Sequence, residues 1–325
     1  MNILMRFLFL PVVLILFSMV IKGQAISGYQ PVSGWGMSNR SSLELIVLRQ
    51  FEENGRSWYL AVNPLTLDTE IISSDSLGFT PATMGIIRSK YSDTPYIKAL
   101  KRAALYHNGI QNAGFRRFSS SQPGIVLTAD LCPSHHPLDS ILFKSLLGIF
   151  KNNPAPIGIS VSGRWINEHP MDLKWLDSLD KAGKVRVTWI NHSYNHFTFD
   201  SVPLRKNFLL APGTDIKSEV LNTEELLLEN RIVPSIFFRF PGLVSNSAIY
   251  EMVIDRGLIP LGSDAWLAKG QHPQGGSIVL IHANGNEHKG VVAFLQLLKK
   301  QRQSIISKKW GLFDLKKSLI ELVSQ

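Results

Sequence analysis

Gly124-Ile125-Val126-Leu127-Thr128-Ala129-Asp130 is a short apolar run, partly β-branched, that ends on a carboxylate. Apolar runs of the same kind recur at residues 157–161, 185–190, 236–238, 258–261 and 278–281. Strands that are apolar along their whole length belong to parallel sheets covered on both faces. Helical patterns separate them. One covers residues 170–182. Another opens at Thr214-Asp215 and puts Ile216, Val220 and Leu227 on one side, and near the end Leu312, Leu315, Leu319, Leu322 and Val323 share a face. Such alternation predicts an α/β fold, either a doubly wound sheet or a (β/α) barrel. No GxGxxG or phosphate loop follows any of the runs, which speaks against a nucleotide-binding sheet.

In these folds catalytic groups gather just past the carboxyl ends of the strands. Residues 125–127 lead to Asp130, 185–190 to His192 and His196, 236–238 to Arg239, 258–261 to Asp264, and 278–281 to His282. Taken singly, each is what surfaces and helix caps commonly carry. Together they form a hydrolase-like set. The imidazoles of His192-Ser193-Tyr194-Asn195-His196, four residues apart, can converge on one metal ion. A metal there would polarise a carbonyl and acidify a bound water. Asp130 would then be a base for that water and His282 an acid for the leaving group, with Arg239 and Asp264 as fixed charges that orient and tune them.

The order and surroundings of these residues resemble the motifs of the polysaccharide deacetylase family. Thr128-Ala129-Asp130-Leu131 stands where the family has Thr-Phe-Asp-Asp, and His192-Ser193-Tyr194-Asn195-His196 matches its His-Ser/Thr-x-x-His. Arg239-Phe240-Pro241-Gly242, Ser263-Asp264-Ala265-Trp266 and Leu280-Ile281-His282 are similar to the remaining three. Gly163-Arg164-Trp165-Ile166 sits where members carry a similar segment. The resemblance covers about residues 121–295 and implies a distorted (β/α) barrel that removes N- or O-acetyl groups from glycans with a divalent metal, commonly zinc. By motif position Asp130 resembles the base, Arg239 the residue positioning it, and His282 the acid with Asp264 as partner. His192 and His196 resemble metal ligands, and Trp266 and Leu280 the walls of the acetyl pocket. One departure is plain: Leu131 replaces the aspartate that completes the family's ligand set. That predicts weaker metal binding by His192 and His196, with help from Asp130 or water, or a glycan binder without catalysis.

The rest of the 325-residue chain sets the context. Residues 1–25, a short basic start followed by an apolar stretch and Gly23-Gln24-Ala25, read as an export leader or, less readily, a membrane anchor over residues 7–21. The mature protein is therefore expected outside the cytoplasm, periplasmic or secreted. Residues 26–120 lack any chemical constellation and read as a small α+β accessory region or a cap on the barrel, followed by a linker at Ser119, Ser120, Ser121, Pro123 and Gly124; residues 121–325 are the barrel domain. The net charge of +9 includes a cluster at Lys299, Lys300, Arg302, Lys308, Lys309, Lys316 and Lys317, either a solvated helix face or a contact for an anionic polymer or membrane. No motif for nucleic acid accompanies it. Cys132 is the only cysteine, which excludes an intrachain disulfide. It reads as a small buried apolar residue, with nucleophile or soft metal ligand as alternatives. No Gly-x-Ser-x-Gly elbow occurs.

Overall fold

The computed structural model describes residues 25–39, 42–107, 109–119, 122–151 and 153–325. The expected leader lies outside the described residues, apart from Ala25, as do Ser120 and Ser121 of the expected linker. The apolar runs form a parallel sheet. Its strands are β6 (Gly124–Leu131), β7 (Ala155–Val161), β8 (Val185–Asn191), β9 (Phe237–Phe238), β10 (Ile259–Pro260), β11 (Ala265–Trp266) and β12 (Ile278–His282), in the order β10-β9-β8-β7-β6-β12-β11. A short β13 (Gly311–Leu312) pairs beside the start of β6. The sheet curls into an open barrel, the distorted (β/α) architecture expected from the sequence. Leu312 thus belongs to a strand, and the last helix starts later than the apolar pattern alone implied.

The helices that cover the sheet are α3 (Ser140–Ile149), α4 (Gly163–Glu168), α5 (Pro170–Lys181), α6 (Ile216–Glu229), α7 (Ser247–Asp255), α8 (His288–Ile306) and α9 (Leu315–Ser324). Their starts have local causes. Pro170 occupies the first turn of α5, where its missing N–H costs nothing. Asp215 accepts from Lys217 N at 2.9 Å and caps α6, and Asp314 caps α9 through Lys316 N and Lys317 N. Side chains of β6 alternate. Ile125, Leu127, Ala129 and Leu131 enter the apolar layer beneath α3, α5 and α8, which leaves Thr128 and Asp130 for the barrel interior.

Residues 26–107 build a second, antiparallel sheet with strands β1 (Ile26–Ser38), β2 (Glu44–Glu53), β3 (Arg56–Val62), β4 (Thr69–Ser73) and β5 (Leu77–Pro81), order β4-β3-β2-β1-β5, plus helices α1 (Met84–Lys90) and α2 (Pro95–Ala103). This sheet and these helices share one core with the barrel: Ile46, Leu48, Tyr96 and Leu100 pack with Phe237, Phe238, Tyr250 and Ile259. The stretch after α2 runs through the gap between the barrel's edge strands. Phe115 bridges to Leu261, and Arg117 to Ser277. A buried ion pair locks the two regions together. Arg49 Nε and Nη2 donate to Glu224 on α6 at 2.7 and 3.0 Å, and Tyr29 Oη donates to the same carboxylate at 2.9 Å.

Because both partners are out of water, removing one strands the other. Glu224→Ala is expected to cost about 3–5 kcal/mol, while the Arg49→Met, Glu224→Met pair recovers most of that. Urea unfolding of the two variants checks this. Equal losses would mean the pair does not hold the cap to the barrel.

Candidate active site

Five of the expected residues meet at the carboxyl ends of β6, β8, β9 and β12. In the β6–β12 ladder His282 stands opposite Asp130, and Leu280 opposite Thr128. Arg239, directly after β9, is fully buried and reaches across the barrel. Its Nη1 donates to Thr128 Oγ1 at 2.8 Å and to Asp130 Oδ1 at 3.1 Å, and Nη2 donates to the Gly262 carbonyl at 3.1 Å. Asp130 Oδ2 is left facing His192 Nε2 at 3.7 Å.

His192 is oriented by the backbone of Arg239. Its Nδ1 lies 2.8 Å from the Arg239 carbonyl, which can only accept, so Nδ1 carries the hydrogen and Nε2 presents a lone pair. His196 lies beside it, with ring centroids 4.7 Å apart. Neither nitrogen of this buried ring has a hydrogen-bond partner among the described residues. Cys132 Sγ sits 3.5 Å from His192 Nε2, and donor atoms of Cys132, His192 and His196 all lie within 4.8 Å of one another. For tetrahedral zinc with bonds of about 2.0–2.3 Å, neighbouring S and N donors stand roughly 3.5 Å apart. An oriented lone pair, an unpartnered buried imidazole and a buried thiol fit a divalent metal.

The donor atoms are electrostatically coupled. Burial alone would raise the Cys132 thiol, but His196, His282 and His192 draw it well below the ordinary thiol range. Burial would lower His192, which the nearby Asp130 and Cys132 instead raise. Without a cation, both directions describe a thiol and imidazoles that share charge; a bound cation would take the place of the imidazole proton.

Two expectations give way here. Leu131 does not face the donor atoms. Period-two alternation turns it outward into the apolar layer, and Cys132, one residue further on, takes the inward place. Among the described residues the three-donor group that could hold a metal therefore takes Cys132 as its third member, in place of the Asp130 or water expected from the sequence. Asp264 does not partner His282 either. It pairs with Arg117 Nε at 2.6 Å. The carboxylate beside His282 is Glu287, with Oε2 2.7 Å from Nδ1, an ion-pair contact outside good N–H alignment. Burial would lower His282, but Cys132 and then Glu287 push it up to about 10. Trp266 Nε1 also donates to Glu287 at 2.7 Å, its ring lies 5.5 Å from that of His282, and Lys269 Nζ stands 3.5 Å over the indole.

The supporting residues were hidden in the sequence. Ser193 and His196 take left-handed backbone (φ 65° and 48°), a strained state for non-glycine residues. Glu219 on α6 holds that loop, accepting from Tyr194 N and Asn195 N at 2.9 Å each and from Asn195 Nδ2 at 2.6 Å. At Gly163 a Cβ would meet the Tyr194 ring at 2.2 Å, so only glycine lets α4 start against the loop. Gly242 (φ 58°) likewise leaves room for Phe208, whose ring packs edge-on against His196. Asn284 Nδ2 donates to the Cys132 carbonyl at 2.7 Å and so fixes the third donor. A buried glutamate inside an amphipathic helix was the one visible signal for Glu219.

No protein-family model matches the sequence. In outline the chain is similar to a family 4 carbohydrate esterase from Bacillus anthracis, at TM-score 0.47 and 17% identity over 70% of this chain and 91% of that one. It is also similar to PdaA of Bacillus subtilis, a family 4 carbohydrate esterase, at TM-score 0.48 and 12% identity over 81% of this chain and 95% of that one. A third likeness is to BA3943 from Bacillus anthracis, a CE4 family pseudoenzyme, at TM-score 0.44 and 15% identity over 65% and 70%.

Leu131→Asp is expected to destabilise the fold by on the order of 3 kcal/mol or more, because it puts an unpaired carboxylate among Ile125, Leu127 and Phe143. Zinc affinity should stay within a few-fold of wild type. Competition titration and urea unfolding test both; a tenfold gain in affinity would put residue 131 back among the donors.

Proposed function

We propose that the protein is a metal-dependent hydrolase that removes acetyl groups from an N- or O-acetylated polysaccharide. The observation that carries this reading is an acid and a base on adjacent strands beside one donor triad: Asp130 on β6, His282 on β12, and Cys132, His192 and His196 with them. A divalent cation in that triad, zinc by the softness of its donors, would supply Lewis acidity to the acetyl carbonyl and to the attacking water. The residues do the rest. Arg239 holds Asp130 Oδ1 and leaves Oδ2 to take a proton from water. The hydroxide adds to the acyl carbon, and the bond to the sugar nitrogen or oxygen breaks. His282, protonated and held by Glu287, gives its proton to that leaving atom, so acetate and the free amine or hydroxyl result. Trp266 and Leu280 would flank the acetyl methyl.

The non-catalytic glycan-binding alternative drew its support from Leu131, and the outward turn of that side chain favours the catalytic reading over it. A leader-like start would carry such an enzyme out of the cytoplasm to the glycans it acts on. Asp264 is paired with Arg117, and the carboxylate beside His282 in this reading is Glu287.

Asp130→Asn and His282→Ala should each cut acetate release from acetylated peptidoglycan or chitin oligomers by about 10²–10⁴-fold. Near-normal release by both variants would reject the assignment. Independently of activity, the cobalt-loaded protein should show a near-ultraviolet thiolate-to-metal band. Cys132→Asp should abolish the band while the variant still binds cobalt. A band unchanged in Cys132→Asp would exclude the thiolate as a ligand.

A further inference from the structure

A cleft of about 970 Å³ opens at the other end of the barrel. Gly311, Leu312 and Pro156 line it, so it lies where β6, β7 and β13 begin, whereas Asp130 and His282 follow the far ends of β6 and β12. Gly124 and Asp130 are six residues apart on β6, a separation of roughly 20 Å at about 3.3 Å per residue. The cleft is therefore distinct from the acid–base site.

Two kinds of group line it. Its floor is apolar, with Phe150, Ile305 and Leu312 under the half-buried Trp310. Its rim carries Lys151, Arg186, Arg302, Lys308 and Lys317, all exposed. Two acids share the lining, Asp314 and Glu321. Asp314 is already engaged: it caps α9 and lies 3.9 Å from Arg186. Among the described residues, Lys151, Arg302, Lys308 and Lys317 stand in no ion pair. Four unneutralised cations around one concavity repel each other and attract an anion. Lys308 adds a further sign. It occupies the left-handed position just past α8 (φ 56°), where glycine would be less strained. The turn it makes brings Lys308 and Trp310 to the same cleft.

We infer that this cleft binds a strand of anionic, carboxylate-bearing polysaccharide, with Trp310 stacked on a sugar face and Arg302, Lys308 and Lys317 on its acid groups. Three features select this occupant. The charge calls for a polyanion. An indole between cations offers a flat apolar face to a pyranose ring, as aromatic side chains do wherever one side is apolar and the other wet. The volume stands at the top of the roughly 300–1,000 Å³ range of small-ligand sites, and its concavity suits a chain and not the flat face of a bilayer. The site would hold the enzyme on an acidic glycan while the opposite face works, and its existence does not depend on the reaction proposed there.

The test uses the exported form of the protein and polygalacturonate as probe, with neutral dextran and phosphatidylglycerol vesicles as comparators, at low ionic strength. Wild type should bind polygalacturonate, with affinity falling as salt is added, and should bind neither comparator. The Arg302→Glu, Lys308→Glu double variant should lose at least tenfold in affinity. Trp310→Ala should lose several-fold, and Trp310→Phe should recover most of it. Circular dichroism and unchanged cobalt binding at the distant triad establish that the variants fold. Equal binding by wild type and the double variant would overturn the inference. So would capture by the vesicles without binding to polygalacturonate, which would make this face a membrane contact.

Discussion

A guanidinium cut off from water must find its acceptors inside the protein, and the three acceptors of Arg239 lie at the ends of two strands. Thr128 and Asp130 on β6, and the Gly262 carbonyl after β10, converge on it from across the barrel. Its own carbonyl turns His192 so that Nε2 faces the donor triad. One residue thereby holds the Asp130 carboxyl with its side chain and the His192 imidazole with its backbone. Removing such a group from a dry interior costs more than the hydrogen bonds themselves, because Asp130 would be left charged and unpaired.

The donor triad trades a carboxylate for a thiolate, and geometry explains how. On a strand the inward positions are two apart, so a donor displaced from residue 131 reappears at 132, just past the end of β6. There the chain must be held by something other than the ladder, and Asn284 does so from the loop after β12. On the other side the loop of His192 and His196 stores backbone strain at Ser193 and His196, which Glu219 and the close approach of Gly163 offset. Softness follows from the exchange: sulfur and imidazole nitrogen favour zinc over the harder ions that oxygen ligands prefer.

An open parallel barrel exposes two edge strands and a mouth, and the amino-terminal region answers that need. Residues 111–118 lie between β10 and β12, where Gly262 N donates to the Phe115 carbonyl and Ile278 N to that of Arg116. Arg117 from the same stretch takes Asp264 away from His282. The stretch that closes the barrel thus also engages Asp264, and the buried Arg49–Glu224 pair joins this region to the helix that holds the His192 loop.

By itself the sequence determined the alternation of strands and helices, because apolar runs bounded by polar residues can be buried in few other ways. It also determined which strand ends carry Asp130, His192, His196, Arg239 and His282, since those residues follow the runs directly. Only the tertiary structure decided which of them touch. The direction of Leu131 and Cys132 depends on which residue of β6 begins the inward set, and that is set by packing against α3, α5 and α8. Glu219, Asn284 and Arg117 reach their partners from 25, 152 and 147 residues away, distances across which no local pattern connects a residue to its partner. Periodicity reports which face a side chain takes relative to its own element. Pairing across elements is settled when the core closes and each buried charge must find a partner within reach.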